Sequence, residues 1–152
     1  MRVLILAATV IGALSGIAPA SADPGSAGSG ALSYAPPFVD HVFWTQWTEW
    51  TQWSQSNQLR SLRVYPTTSG RAATRQLGAA GPDEDEAWAE VLALAPEAAT
   101  PGMHEQFRCH WELAEAFEPG KPSWNLEPWR PVVDDTTMVS SGCNPGGGRE
   151  PS

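Results

Sequence analysis

Residues 38–53, FVDHVFWTQWTEWTQW, decide the fold. Past Pro37 the stretch holds neither glycine nor proline, and it is dominated by Val, Phe, Trp and Thr, which pack well on a pleated surface. Side chains alternate between the two faces of a strand. The segment therefore predicts one aromatic face of Phe43, Trp47 and Trp53 and another of Trp44 and Trp50. The polar run Ser54–Gln58 reads as a turn. Leu59–Tyr65 (LRSLRVY) reads as the returning strand, with Leu62 and Val64 on one face and Arg63 and Tyr65 on the other, and Pro66 ends it. The two segments predict a long antiparallel hairpin.

Downstream of the hairpin, Thr67–Gly81 reads as loop and is followed by a helix. Asp83 caps it after Pro82, and Glu84, Asp85 and Glu86 fall in the first turn, where negative charge complements the helix dipole. Trp88, Val91, Leu92 and Ala95 form its apolar stripe, and Pro96 stops it. This acidic cluster reads as a solvated first turn and not as a cation site. Thr100-Pro101 opens a second helix. Two periods then compete: Met103, Phe107, Trp111 and Ala114 fit one helical face, whereas Phe107, Cys109, Trp111 and Leu113 fit strand alternation. The expectation is a short helix over 100–106 running into a strand over 107–114. Glu118–Pro122 reads as a turn, and Trp124–Arg130 as a short extended segment, since Pro128 cannot donate to a central ladder. Val132-Val133 and Met138-Val139 read as short edge strands. The expected fold is α+β: an antiparallel sheet with a long N-terminal hairpin, one amphipathic helix, a short second helix and one disulfide.

The first residues have the three-part layout of an export signal. Arg2 supplies a charge, Val3–Ala18 an apolar run, and Ala20 and Ala22 the small residues of a cleavage site before Asp23. The apolar run falls short of the ~20 residues of a comfortable membrane span. The chain thus divides into a signal peptide over 1–22, a Gly/Ser/Ala/Pro-rich flexible leader over 23–37, one small domain over 38–146 and a disordered tail over 147–152. A net charge of −8 argues against nucleic acid and anionic membrane surfaces as partners. Cys109 and Cys143 are the only two cysteines, and in an exported chain they are expected to pair. Closing that loop adds roughly 4 kcal/mol in the chain-entropy model. A nucleophilic Cys109 beside His110 is the competing reading, weakened by the ease with which an extracellular thiol oxidises.

Two segments could carry function. Trp44, Trp47, Trp50 and Trp53 recur every third residue, within WTQ-WTE-WTQ-WSQ. They fit an aromatic platform for sugar rings, or a ladder in which Arg60 or Arg63 stacks on an indole across the hairpin. The plainer reading is core packing with cross-strand pairs, but a spacing of three alternates faces, so the core cannot take all four. The second segment joins His110, Glu127 and Arg130. Either His110 is a general base oriented by Glu127 or Asp134, or Glu127 and Arg130 pair with each other while Trp124 and Trp129 pack. His41, His104 and His110 lack the ligand spacing of a metal site, and no cofactor motif is present.

The triplets resemble the tryptophan strand of thrombospondin type 1 repeats over Trp44–Arg63, but those repeats carry more disulfides than two cysteines can form. Over a longer span, SLRVYPTTSGR (61–71), AWAEVLALAP (87–96), TPGMHEQFRCH (100–110), KPSWNLEPWRP (121–131) and CNPG (143–146) resemble a family of small secreted actinobacterial proteins, domain of unknown function 2599. That resemblance implies secretion and the Cys109–Cys143 pairing, and it implies no activity. A fold-level likeness to subtilisin inhibitors rests on Pro66-Thr67-Thr68-Ser69-Gly70 and the closing cysteine, without the proline-braced reactive loop. The expected function is a secreted, non-enzymatic binding or interaction protein for an extracellular glycan or protein. Its candidate residues are Trp44, Trp47, Trp50, Trp53, His110, Glu127 and Arg130. The alternatives are a secreted protease inhibitor and a small extracellular hydrolase.

Overall fold

A computed structural model describes residues 34–51, 54–76 and 80–147, with the side chains of 47–58 outside that description. The expected signal peptide and most of the expected leader also lie outside it. Strand β1 (Val39–Thr51) and strand β2 (Ser54–Pro66) form the hairpin, and β3 (Trp124–Leu126) adds antiparallel to β2. The order β1-β2-β3 makes β2 the central strand. Pro128 follows β3 at the sheet's edge, where a missing N–H costs no ladder bond.

The helices are α1 (Thr68–Thr74), α2 (Pro82–Leu94), α3 (Pro101–Phe117) and α4 (Asp135–Ser140), with a single 3-10 turn at Pro96–Ala98. They back one face of the sheet. Val42 faces Val64, Trp44 faces Leu62, and Leu62 and Val64 face Leu126 and Trp124 on β3, so six side chains of this register meet the helices. Phe107, Trp111 and Trp124 centre the core at ring separations of 6.0–6.1 Å, mostly edge-on, and Phe38 meets Trp111 at 5.7 Å. Apolar burial of this kind dominates the stability of a small domain.

Five expectations are corrected here. The polar run Ser54–Gln58 is not a turn: it is the start of β2, with Ser54, Asn57 and Gln58 paired to Thr51, Glu49 and Thr48. Asp83 does not cap α2: Gly81 is the N-cap, Pro82 opens the helix and Asp83 lies within its first turn. The 107–114 strand does not form: α3 continues unbroken to Phe117. Thr100 accepts the Met103 N–H at 3.4 Å and Pro101 occupies the first turn, as the sequence reading expected. Beyond that point the helix is buried on two sides. Phe107 and Trp111 enter the main core, whereas Cys109 joins a second cluster with Met138 and Cys143. Burial on two sides is what imitates strand alternation.

The expected loop after Pro66 contains α1. Its cap, Thr67, accepts the Gly70 N–H and donates its hydroxyl to the Pro37 carbonyl. A side chain at Gly70 would collide with the backbone carbonyl of Phe38, so only glycine lets α1 approach the strand start so closely. Tyr34–Pro37 lie along this helix: Ser69 donates to the Ala35 carbonyl and Gln76 to the Tyr34 hydroxyl. The expected edge strand at Met138-Val139 is α4 instead, capped by Asp134, which accepts the Thr137 N–H at 2.8 Å; Val132-Val133 is irregular.

The Cys109–Cys143 disulfide forms and ties α3 to the segment after α4. Among the described residues no helix is long and apolar enough to cross a membrane.

Candidate functional site

The face of the sheet turned away from the helices is open along the His41 and Phe43 rows, whereas Ser61 on the same face is buried beneath Glu127. A register irregularity between Val39 and His41 lets Phe38 and Val39 both enter the core while the strand resumes alternation with His41 outward. Outward residues then follow in rows. His41 stacks on Tyr65 with ring centroids 4.2 Å apart and an interplanar angle of 13°, and its Nδ1 lies 2.7 Å from the Asp40 carboxylate. Phe43 stands opposite Arg63, which stands opposite Asn125. Thr45 donates its hydroxyl to the Ser61 carbonyl. Phe43 is 58% exposed, although a phenyl ring on a sheet face is ordinarily packed against something. Aromatic rings flanked by short polar side chains make a surface that can stack on a flat ligand and hydrogen-bond around it.

The tryptophan series divides. Trp44 lies on the packed face, half-buried against the core, with the Arg60 guanidinium 4.1 Å from its ring centroid. That is the cross-strand cation–π pair the sequence reading considered, but it closes the end of the core. For Trp47 and Trp50 the structure describes only backbone, with Trp47 paired to Leu59, and Trp53 lies outside the described residues.

Glu127 and Arg130 pair with each other. Arg130 Nε donates to Glu127 at 2.5 Å, and the Arg130 guanidinium also donates to the Pro145 and Gly147 carbonyls at 3.0 and 2.9 Å. The other oxygen of Glu127 accepts the Ser61 hydroxyl. Gln106 grips the Glu127 backbone in both directions, donating to its carbonyl and accepting its N–H. WNLEPWRP and CNPG are thus one structural clamp. Gly146 has φ +88° and the Pro131 ring 2.7 Å from where a Cβ would stand, so the clamp admits only glycine there.

His110 is buried apart from this clamp and donates Nε2–H to the Asn125 carbonyl at 3.2 Å. Burial, then the nearby Lys121 charge, lowers its pKa to about 4, so the imidazole is neutral at pH 7. Asp134 is engaged as the α4 cap. The structure therefore joins Glu127 to Arg130, and each of His110 and Asp134 to a different backbone partner.

The sequence reading missed two buried carboxylates. Glu115 accepts from Arg71 at 2.6 Å, Arg75 at 3.1 Å and the Gly120 N–H at 3.3 Å. Burial alone would raise its pKa, but these donors outweigh it and hold it below the usual value. Glu84, expected in a solvated first turn, is instead buried 3.4 Å from His104, whose ring stacks on Trp88. Burial raises its pKa, and His104 opposes that shift. Neither position has a local signature, because the arginines lie some 40 residues away and His104 on another helix. Among the described residues no three His, Cys, Asp or Glu side chains gather as a metal site.

A family model described as protein of unknown function (DUF2599) matches residues 39–146. The uncharacterized protein Rv0477 of Mycobacterium tuberculosis is 53% identical over 157 residues, covering 99% of each chain, and the uncharacterized protein Mb0487 of Mycobacterium bovis matches equally. The uncharacterized protein ML2452 of Mycobacterium leprae is 46% identical over 113 residues, covering 74% of this chain and 83% of its own. No solved structure matches the chain.

Proposed function

The chain belongs to the DUF2599 family of proteins of unknown function, and we propose that it is an exported, non-enzymatic binding protein whose contact surface is the open face of the hairpin. The N-terminal charge, apolar run and small-residue cleavage site support export. So does a disulfide, which persists in oxidising compartments. The observation that carries the binding reading is Phe43, 58% exposed between the His41–Tyr65 stack and Arg63. The ligand class is an extracellular glycan: sugar rings offer a flat C–H face to aromatics and a rim of hydroxyls to Arg63, Thr45 and Asn125. Against chemistry stand the mutual pairing of Glu127 with Arg130 and the low pKa of His110, since a general base works best with a pKa near the working pH.

The test is titration of the processed protein with cell-wall glycan, chitin and cellulose oligosaccharides, followed by intrinsic tryptophan fluorescence. A saturable shift that Phe43→Ser removes supports the reading. A shift that Phe43→Ser leaves intact moves the site elsewhere, and silence from every glycan refutes the ligand class.

A further inference from the structure

A second surface with binding character lies on the helical side of the molecule. A groove of about 230 Å³ runs between the C-terminal half of α3 and α4, beside Cys143. Its walls are largely apolar, with Leu113, Ala114 and Phe117 from α3 and Val139 from α4. Phe117 is 75% exposed and Val139 50%, so two of the five large apolar side chains left exposed among the described residues converge on this one concavity. Exposed apolar surface gathered in a concave site marks a ligand or a partner.

Three titratable groups, Lys121, Glu118 and His110, stand in the lining and define what the groove takes. Lys121, the only lysine in a chain of net charge −8, stands in the lining and pairs with Glu118 at 2.8 Å. A partly exposed pair of this kind is worth about 0–1 kcal/mol, so the ammonium can exchange Glu118 for a ligand anion at little cost. His110 lines the inner wall and is 4% exposed. Its burial keeps the imidazole neutral at pH 7 and its Nε2–H is given to the Asn125 carbonyl, so it adds no positive charge to the wall. The groove is smaller than the ~300–1,000 Å³ clefts that enclose drug-sized ligands, which suits one chain and not a fused ring system.

We propose that this groove binds a single-chain anionic amphiphile, its acyl chain seated on Leu113, Phe117 and Val139 and its carboxylate or phosphate on Lys121. This site is independent of the open sheet face. Transfer of each methylene from water into the groove strengthens binding about fourfold until the groove is full.

The experiment is calorimetric titration of the disulfide-intact protein below micelle concentrations. The probes are straight-chain carboxylates of increasing length, lysophosphatidic acid, and alkyltrimethylammonium ions of matched length. The expected result is affinity that climbs with chain length to a plateau, with the cationic series at least tenfold weaker. Lys121→Gln removes that charge preference, Phe117→Ser weakens both series, Glu118→Gln strengthens the anions by freeing Lys121, and Phe43→Ser changes nothing. Phe117 and Lys121 lie at the surface, and unchanged thermal unfolding of their variants separates lost binding from lost fold. Binding by either the free carboxylate or the lysophospholipid fits, and the tighter of the two identifies the source of the headgroup. Affinity that ignores chain length, equal binding of the cationic series, or full binding by Phe117→Ser overturns the proposal.

Discussion

The two faces of one hairpin are built from alternate residues of the same strands, yet they do different things. On the packed face Val42, Trp44, Leu62 and Val64 meet the helices and β3, and Leu62 and Val64 are fully buried. On the open face His41, Phe43, Arg63 and Tyr65 meet one another across the strands, and Phe43 stays 58% exposed. A core residue contributes by leaving water. An open-face aromatic has little stabilising role to lose. The contrast teaches that burial separates here by strand parity, so the proposed binding at the open face can be broken without breaking the core.

The strongest break is in the core behind the packed face. Trp111→Ala removes the indole that Phe38, Phe107 and Trp124 all touch and costs about 4 kcal/mol, read as a fall in the urea midpoint. Acid acts next. The unfolded chain titrates His110 at its ordinary 6.5 and the folded protein at about 4, so the unfolded state binds the extra proton throughout that interval. Stability is whole above pH 6.5 and falls by up to about 3 kcal/mol as pH descends to 4. His110→Gln, which keeps a donor for Asn125, flattens that part of a pH series of urea melts. Glu115, with its lowered pKa, adds a further loss below the ordinary carboxylate range. Gly70→Ala sets a methyl against the Phe38 backbone and costs about 2 kcal/mol, again by urea midpoint. Phe43→Ser is the smallest break, within about 0.5 kcal/mol by the same melts, and it sharpens the comparison because it alone should remove glycan binding.

The hairpin was legible in the sequence because its signal is local: sixteen residues without a break and an alternating return. Its turn was misplaced, because the polar Ser54–Gln58 run pairs with β1 as the start of β2. The same legibility holds for the body of α2, though not for its cap, and for the Thr100-Pro101 start of α3. The remainder of α3 was not legible, because buried Gln106, Cys109 and His110 widen its contact surface past a single stripe. Their partners, the Glu127 backbone, Cys143 and the Asn125 carbonyl, come from the far end of the chain. α1 was hidden behind turn-forming Thr67-Thr68-Ser69-Gly70, in which Thr67 caps the helix and Gly70 lets it pack closely on Phe38. Of the site, the Glu127–Arg130 pairing was one of two readings the sequence left open, and the turn that joins the Arg130 N–H to the Glu127 carbonyl brings the two side chains together. Phe43 was readable as an outward face but not as the exposed one, since exposure depends on where the helices choose to pack.

The most direct test of the account is co-sedimentation of the processed protein with insoluble cell-wall glycan and chitin, comparing wild type and Phe43→Ser at matched folded fraction. The account predicts that wild type pellets with the glycan, that Phe43→Ser stays in the supernatant, and that the two proteins share one urea midpoint. Equal pelleting of both, or none by wild type, contradicts it.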